Sequence, residues 1–125
     1  MKRIITVILA LLLLSGCGQA PTQEAYMNIS QKEAKRLMDT QENYIILDVR
    51  SQEEYDEKHI PGAILIPHTQ VEDLAFDMLP DLDQLILVYC RSGNRSKYAA
   101  NILEELGYTN IREFGGINTW PYEVE

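Results

Sequence analysis

Apolar and polar residues alternate along the chain in blocks that predict strands and helices in turn. Four runs are predicted to be strands, at residues 44–49, 64–66, 85–89 and 111–114, and the first of them is nearly all apolar, which is typical of a strand covered on both faces. Between these runs apolar residues recur at helical spacing. Three helical segments begin with a capping-box pattern, at Ser30, Ser51 and Thr69, and a fourth runs to a stop at Gly107. Strands that alternate with helices predict an α/β sandwich, with a mostly parallel sheet of about five strands flanked by helices.

The N-terminal segment has a different pattern. Lys2 and Arg3 precede an apolar run, Ile4 to Leu14, which is too short to span a bilayer and is typical of a signal peptide. The run ends in Leu14-Ser15-Gly16-Cys17, which resembles the lipobox of bacterial lipoproteins. That resemblance implies that Cys17 becomes the lipidated first residue of an exported chain. An ordinary secretory signal cut nearby is the alternative.

The two N-terminal features divide the chain into three expected segments: a lipoprotein signal peptide (1–16), a lipidated tether (17–25) and one folded domain (26–125). Acyl chains on Cys17 would give lasting anchorage to a membrane. We therefore expect an extracytoplasmic protein that a lipid holds at the bacterial cell membrane. The tether has Pro21 and several polar residues, and no second linker follows it.

Charge and cysteine content narrow the possible partners. The chain of 125 residues has a formal charge of −8, and removal of residues 1–16 takes away Lys2 and Arg3 but no acid, which leaves −10. Such a surface argues against nucleic acid as a partner, and we expect a monomer. The sequence has two cysteines, Cys17 and Cys90. If Cys17 carries lipid, Cys90 is the free thiol.

Cys90 is the strongest candidate for chemistry, because it follows the buried run 85–89 and leads through a short polar loop into a helix. Backbone N–H groups of such a loop, together with the positive end of the helix, favour a thiolate. Arg91 and Arg95 add two positive charges. We therefore expect the pKa of Cys90 to lie below its free value of about 8.5, as suits a nucleophile.

The loop resembles the active-site loop of single-domain rhodaneses, which are sulfurtransferases. The resemblance covers about Tyr26 to Tyr122, and its motifs stand in the family's order: Asp48-Val49-Arg50, Glu53-Glu54-Tyr55, His59-Ile60-Pro61-Gly62-Ala63, Ile66-Pro67, Cys90-Arg91-Ser92-Gly93-Asn94-Arg95-Ser96, Gly115-Gly116 and Trp120. It implies a rhodanese-like three-layer sandwich. It also implies that Cys90 carries a persulfide and that residues 91–96 bind a small anionic sulfur donor such as thiosulfate. The sulfur would pass to a thiol or cyanide acceptor, with no cofactor.

Other polar residues have less specific patterns. Asp48 and Arg50 could orient the loop or bind substrate as a second layer, although a structural ion pair is the commoner role of such neighbours. His59 precedes a Pro-Gly turn and is interpreted as structural. His68 is a possible base, but a thiolate of low pKa needs none. Two isolated histidines and one free cysteine do not predict a metal site.

Two alternatives to a sulfurtransferase remain open at this point. Phosphatases and arsenate reductases related to rhodaneses have an arginine six positions after the cysteine. Here Ser96 stands at that position and Arg95 comes one residue earlier, which makes this class the less probable alternative. The second alternative is a non-catalytic module that senses sulfur as a persulfide or docks a partner, because an intact loop is necessary for turnover but not sufficient.

Overall fold

A computed structural model describes residues 26–125, so the predicted signal peptide and tether lie outside the described residues. The strands are β1 (Tyr26–Asn28), β2 (Tyr44–Asp48), β3 (Ile64–Leu65), β4 (Leu85–Cys90) and β5 (Ile111–Gly116). The helices are α1 (Gln31–Thr40), α2 (Gln52–Glu57), α3 (Val71–Met78) and α4 (Asn94–Glu105), with short 3₁₀ helices at His68–Gln70 and Ile117–Thr119. No helix in this part of the chain is long and apolar enough to cross a membrane.

The five strands form one sheet in the order β1-β5-β4-β2-β3, and every strand pair is parallel. This confirms the predicted α/β sandwich and its sheet of about five strands. The sequence did not predict β1, whose three residues pair with the start of β5. A run of that length is too short to show an alternation of its own.

Side chains of the central strands point alternately to the two faces of the sheet. Along β4, Ile86 and Val88 pack on the face covered by α3 and α4, whereas Leu87 and Tyr89 pack on the face covered by α1. Both faces are therefore buried, as the continuous apolar runs predicted. Because the strands are parallel, the ends of β2 and β4 bring Asp48 and Cys90 to the same edge of the sheet.

The three predicted capping boxes have different outcomes. Ser51 forms the complete box with Glu54 at the start of α2. Ser30 caps α1 through the N–H of Glu33, but the Glu33 carboxylate turns to Arg36, so half of that box forms. The box at Thr69 was wrong. A 3₁₀ turn spans this position, and α3 begins at Val71 with no side-chain cap.

Candidate active site

Cys90 is the last residue of β4, and 1% of its surface is exposed. The ladder between β4 and β5 shifts register between Val88 and Cys90. The true loop has three residues, Arg91 to Gly93, because Asn94 to Ser96 form the first turn of α4. Gly93 closes the loop with a φ of 110°, a left-handed conformation that favours glycine. The backbone thus turns sharply around the sulfur of Cys90.

Hydrogen bonds converge on this sulfur. The N–H of Gly93 lies 2.9 Å from Sγ, and the hydroxyl oxygen of Ser96 lies 3.4 Å from it. Burial raises the pKa of the Cys90 thiol, but hydrogen bonds with the Ser96 side chain and with the backbone of Ser96, Gly93 and Ser92 lower it, and the net shift is downward. The arrangement favours a thiolate inside a ring of donors.

The two loop arginines have different surroundings. Arg95 donates to both carboxylate oxygens of Glu54, at 2.6 and 2.9 Å. This pair lowers the pKa of Glu54 to about 2, against the opposing effect of burial and with help from hydrogen bonds of Ser51. Arg91 is exposed, and its side chain has no hydrogen bond or ion pair within residues 26–125. Of the two loop arginines, Arg91 is therefore the one whose guanidinium is not already paired with a carboxylate.

A cavity of about 250 Å³ adjoins Arg91. Its lining comes from α2, the segment after it, the loop, and the residues after β5: Arg50, Glu54, Glu57, Lys58, Arg91, Ile117 and Asn118. A larger groove of about 440 Å³ lies between α1 and the C-terminal segment around Trp120, and no residue of the loop lines it. The smaller cavity adjoins the loop through Arg91, and two further cavities adjoin it, one of about 370 Å³ through Ser92 and Gly93 and one of about 260 Å³ through Asn94 and Arg95.

Asp48 and Arg50 form a buried ion pair at the end of β2, 0% and 3% exposed. Arg50 donates through Nε and Nη2 to the carboxylate, at 2.7 to 3.1 Å, and through Nη2 to the carbonyl of Lys58. The Tyr89 hydroxyl donates to the same carboxylate at 2.6 Å, and its pKa is raised by burial and by this bond. These contacts link β2, β4 and the segment after α2, and they engage Nε and Nη2 of Arg50.

The end of β5 and the residues that follow it pack directly against the loop. A Cβ added to Gly116 would lie 1.9 Å from the carbonyl oxygen of Arg91, so only glycine fits there. The N–H of Asn118 donates to the same carbonyl at 3.2 Å. The Gly-Gly motif thus has a steric function, which is to let β5 approach the loop.

Sequence reasoning missed Glu113, a fully buried carboxylate in the middle of β5. It accepts hydrogen bonds from the Ser96 hydroxyl at 2.7 Å, from the N–H of Gly115 at 2.8 Å, and from the Asn28 side chain. The available signal was an acidic residue between Arg112 and Phe114 in a predicted strand. It did not indicate which residue the carboxylate would contact.

The two histidines lie in separate surroundings. His59 stacks on Tyr55 with ring centroids 3.9 Å apart, and its backbone pairs with that of Glu125. His68 makes an edge contact with Tyr98 and lines a cavity that Arg95 also reaches. Within residues 26–125, no group of three metal-ligating side chains lies close enough to hold an ion.

Comparisons with known proteins agree with this geometry. The family described as rhodanese-like domain matches residues 30–122, and the prokaryotic membrane lipoprotein lipid attachment site matches residues 1–17. Thiosulfate sulfurtransferase PspE of Escherichia coli is 39% identical over 71 residues, which cover 57% of this chain and 68% of PspE. Thiosulfate sulfurtransferase GlpE of Coxiella burnetii is 32% identical over 96 residues, which cover 76% of this chain and 87% of GlpE.

A solved structure described as "rhodanese with anions from E. coli" superposes with a TM-score of 0.62 at 34% identity, covering 66% of this chain and 96% of that one. Several other relatives are longer proteins, and the chain spans between 27% and 52% of their length. The family match extends from α1 to beyond β5 and so includes all four α-helices and strands β2 to β5. This chain belongs to the rhodanese-like domain family and carries an N-terminal lipoprotein attachment sequence.

Proposed function

We propose that the chain is a sulfurtransferase that carries sulfur as a persulfide on Cys90. One observation supports this most directly. Cys90 ends a buried strand, and its Sγ lies inside a ring of hydrogen-bond donors formed by the loop and the first turn of α4. Such a ring stabilises a thiolate before the reaction and a persulfide anion after it. The relatives named thiosulfate sulfurtransferase support the same class of reaction.

The reaction has two displacement steps. The Cys90 thiolate attacks the outer sulfur of thiosulfate, the S–S bond of the donor breaks, and sulfite leaves with the electron pair. A thiolate or cyanide acceptor then attacks the outer sulfur of the persulfide, and Cys90 leaves as a thiolate. Splitting one transfer into two nucleophilic steps gives ping-pong kinetics.

Arg91 is the residue we propose for binding the anionic donor, since Arg95 is held by Glu54. The same ion pair weighs against a phosphatase. A phosphate would need an arginine directed into the loop, and its oxygens would otherwise lose hydrogen bonds worth about 1–3 kcal/mol each. Ser92, Gly93, Asn94 and Ser96 complete the proposed cradle through their backbone or side-chain donors. The buried ion pair of Asp48 and Arg50 supports this proposed cradle.

The proposed place of action is the extracytoplasmic face of a bacterial membrane. The lipid attachment match supports a membrane-associated protein held by lipid at Cys17, and the signal peptide supports export. Small sulfur donors and thiol acceptors would then be those of the cell envelope.

The experiment is to incubate the protein with thiosulfate and measure its mass. We expect a gain of one sulfur atom, removal of that sulfur by cyanide, and steady turnover when both reagents are present. Cys90→Ser should gain no sulfur and should keep its fold, because Sγ ends in the loop. A wild-type protein that gains no sulfur, or one that readily hydrolyses an aryl phosphate, contradicts the proposal. A persulfide that forms but is not passed on would favour the non-catalytic module.

A further inference from the structure

Glu113 is the buried ionisable group that the sulfur-transfer steps above do not use. It is 0% exposed and, within residues 26–125, has no ion-pair partner. Its two oxygens divide their contacts: Oε1 accepts from Ser96 and Gly115, whereas Oε2 accepts from Asn28 of β1. A buried carboxylate without a cation is costly, so its place directly behind the loop requires an explanation.

Ser96 connects this carboxylate to the nucleophile. Its hydroxyl oxygen lies 2.7 Å from Glu113 Oε1 and 3.4 Å from Cys90 Sγ. The carbonyl of Gly93 is a further acceptor, at 3.0 Å. A serine hydroxyl has one hydrogen, so it cannot donate to an ionised Glu113 and to a Cys90 thiolate at the same time. Two buried anions therefore compete for one donor.

We infer that Glu113 and Cys90 share a proton through the Ser96 hydroxyl, with Glu113 as the group that takes up the proton of the thiol. The Cys90 hydrogen passes to Ser96 Oγ while the Ser96 hydrogen passes to Glu113 Oε1. The negative charge moves from the carboxylate to Sγ, and Ser96 then donates to the thiolate. No proton leaves the protein in this step.

The charged and polar groups around Glu113 are consistent with a shared charge. From α4, Ser96 contacts the carboxylate, and the exposed Lys97 lines a cavity beside it. From β1 the neighbour is the neutral amide of Asn28, and on β5 the Arg112 guanidinium bonds to the carbonyl of Ile111. None of these groups is an ion-pair partner of Glu113, so the contact through Ser96 links it to the nucleophile.

This inference rests on the proposed function, because it concerns the same nucleophile. Its tests measure protonation and not turnover, so the two can fail separately. The tests can distinguish a protein that transfers sulfur without sharing a proton from one that shares a proton but transfers no sulfur.

The first test is infrared spectroscopy of the full chain in detergent before and after alkylation of Cys90 with iodoacetamide. Alkylation turns the thiolate into a neutral thioether, so Glu113 should release its proton and the carbonyl stretch of a protonated carboxyl should disappear. Glu113→Gln keeps the size of the side chain and one of its two acceptor oxygens but cannot take up the proton, and it should lack this band. Cys90→Ser, treated identically, should show no change.

The second test is the pH dependence of the alkylation rate. In Glu113→Gln the rate should fall about tenfold per pH unit below the pKa of Cys90, as for a single ionisation. In the wild type the decline should be shallower over the range in which the pair holds one proton. Ser96→Ala interrupts the relay but retains both ionisable groups, and it should behave like Glu113→Gln. This variant also serves if the glutamine variant does not fold.

Two results would overturn the inference. One is a wild-type infrared difference spectrum that lacks the carboxyl band or matches that of Glu113→Gln. The other is an alkylation profile in which the wild type and both variants follow the same single ionisation. Either result would make Glu113 a structural support for the loop and nothing more.

Discussion

The ion pair between Glu54 and Arg95 joins α2 to the first turn of α4, and Glu54→Gln tests it with little change in shape. Glutamine still suits the third position of the capping box that Ser51 begins, so the helix start should survive. What is lost is the charge that holds the Arg95 guanidinium in two hydrogen bonds. The variant therefore separates the ion pair from the helix cap.

The expected magnitude follows from the pKa of Glu54. Arg95 is the main cause that lowers this pKa from 4.5 to about 2, which corresponds to at most about 3 kcal/mol of folding free energy. The two side chains are 26% and 28% exposed, so solvent screens part of the interaction. We expect Glu54→Gln to lower the free energy of unfolding by about 1–2 kcal/mol at neutral pH.

The contribution of Glu54 to the free energy of unfolding should depend on pH in a known direction. The pKa of Glu54 is lower in the folded chain than in the unfolded chain, so its contribution is complete above pH 4.5 and is lost as the pH falls towards 2. Urea unfolding at several pH values should therefore show a gap between wild type and Glu54→Gln that narrows below pH 4.5. Glu53→Gln, an exposed neighbour on the same helix, is the matched control and should unfold like the wild type. A gap that stays constant with pH, or equal stability of the two variants, would refute the reasoning.

Three further predictions concern the frame of the site and its anchor. Asp48→Ala leaves the buried guanidinium of Arg50 without its partner and should cost about 3–5 kcal/mol in urea unfolding. Gly116→Ala places a methyl group against the carbonyl of Arg91, so the mass gain with thiosulfate should be lost. Cys17→Ser should release the protein from the membrane fraction or leave an unprocessed precursor, as fractionation and mass measurement would show.

The sequence predicted the fold well because both faces of the central strands are covered, which makes each strand a continuous apolar run. It failed at β1, where three residues pair with β5 and carry no periodic pattern. It also failed at Thr69, because the 3₁₀ turn before α3 is set by the chain path after β3 and not by local capping residues. Sequence patterns therefore predict the elements whose conformation is determined by residues close together in the sequence.

The same distinction applies to the site. The loop was found because its residues are contiguous, and its strand and helix flank it in the sequence. The partner of Arg95 is 41 positions away, and the carboxylate that contacts Ser96 is 17 positions away. Both contacts depend on how the elements pack. The expected role of Arg95 as a donor-binding residue therefore has a competitor, Glu54, that no pattern in the loop could reveal.

The parallel sheet places the point at which the chain enters it and the nucleophile at opposite ends of its strands. β1 begins at Tyr26, which pairs with Ile111 at the start of β5, whereas Cys90 pairs with Gly116 at the end of β5. The chain therefore enters the sheet at the N-terminal ends of the strands, whereas the loop lies at their C-terminal ends. Tyr26 lies nine positions after Cys17, and nine residues of extended chain span at most about 30 Å. We therefore expect a lipid on Cys17 to hold the domain within about 30 Å of the bilayer, with the loop at the other end of the strands from the point where the chain enters the sheet.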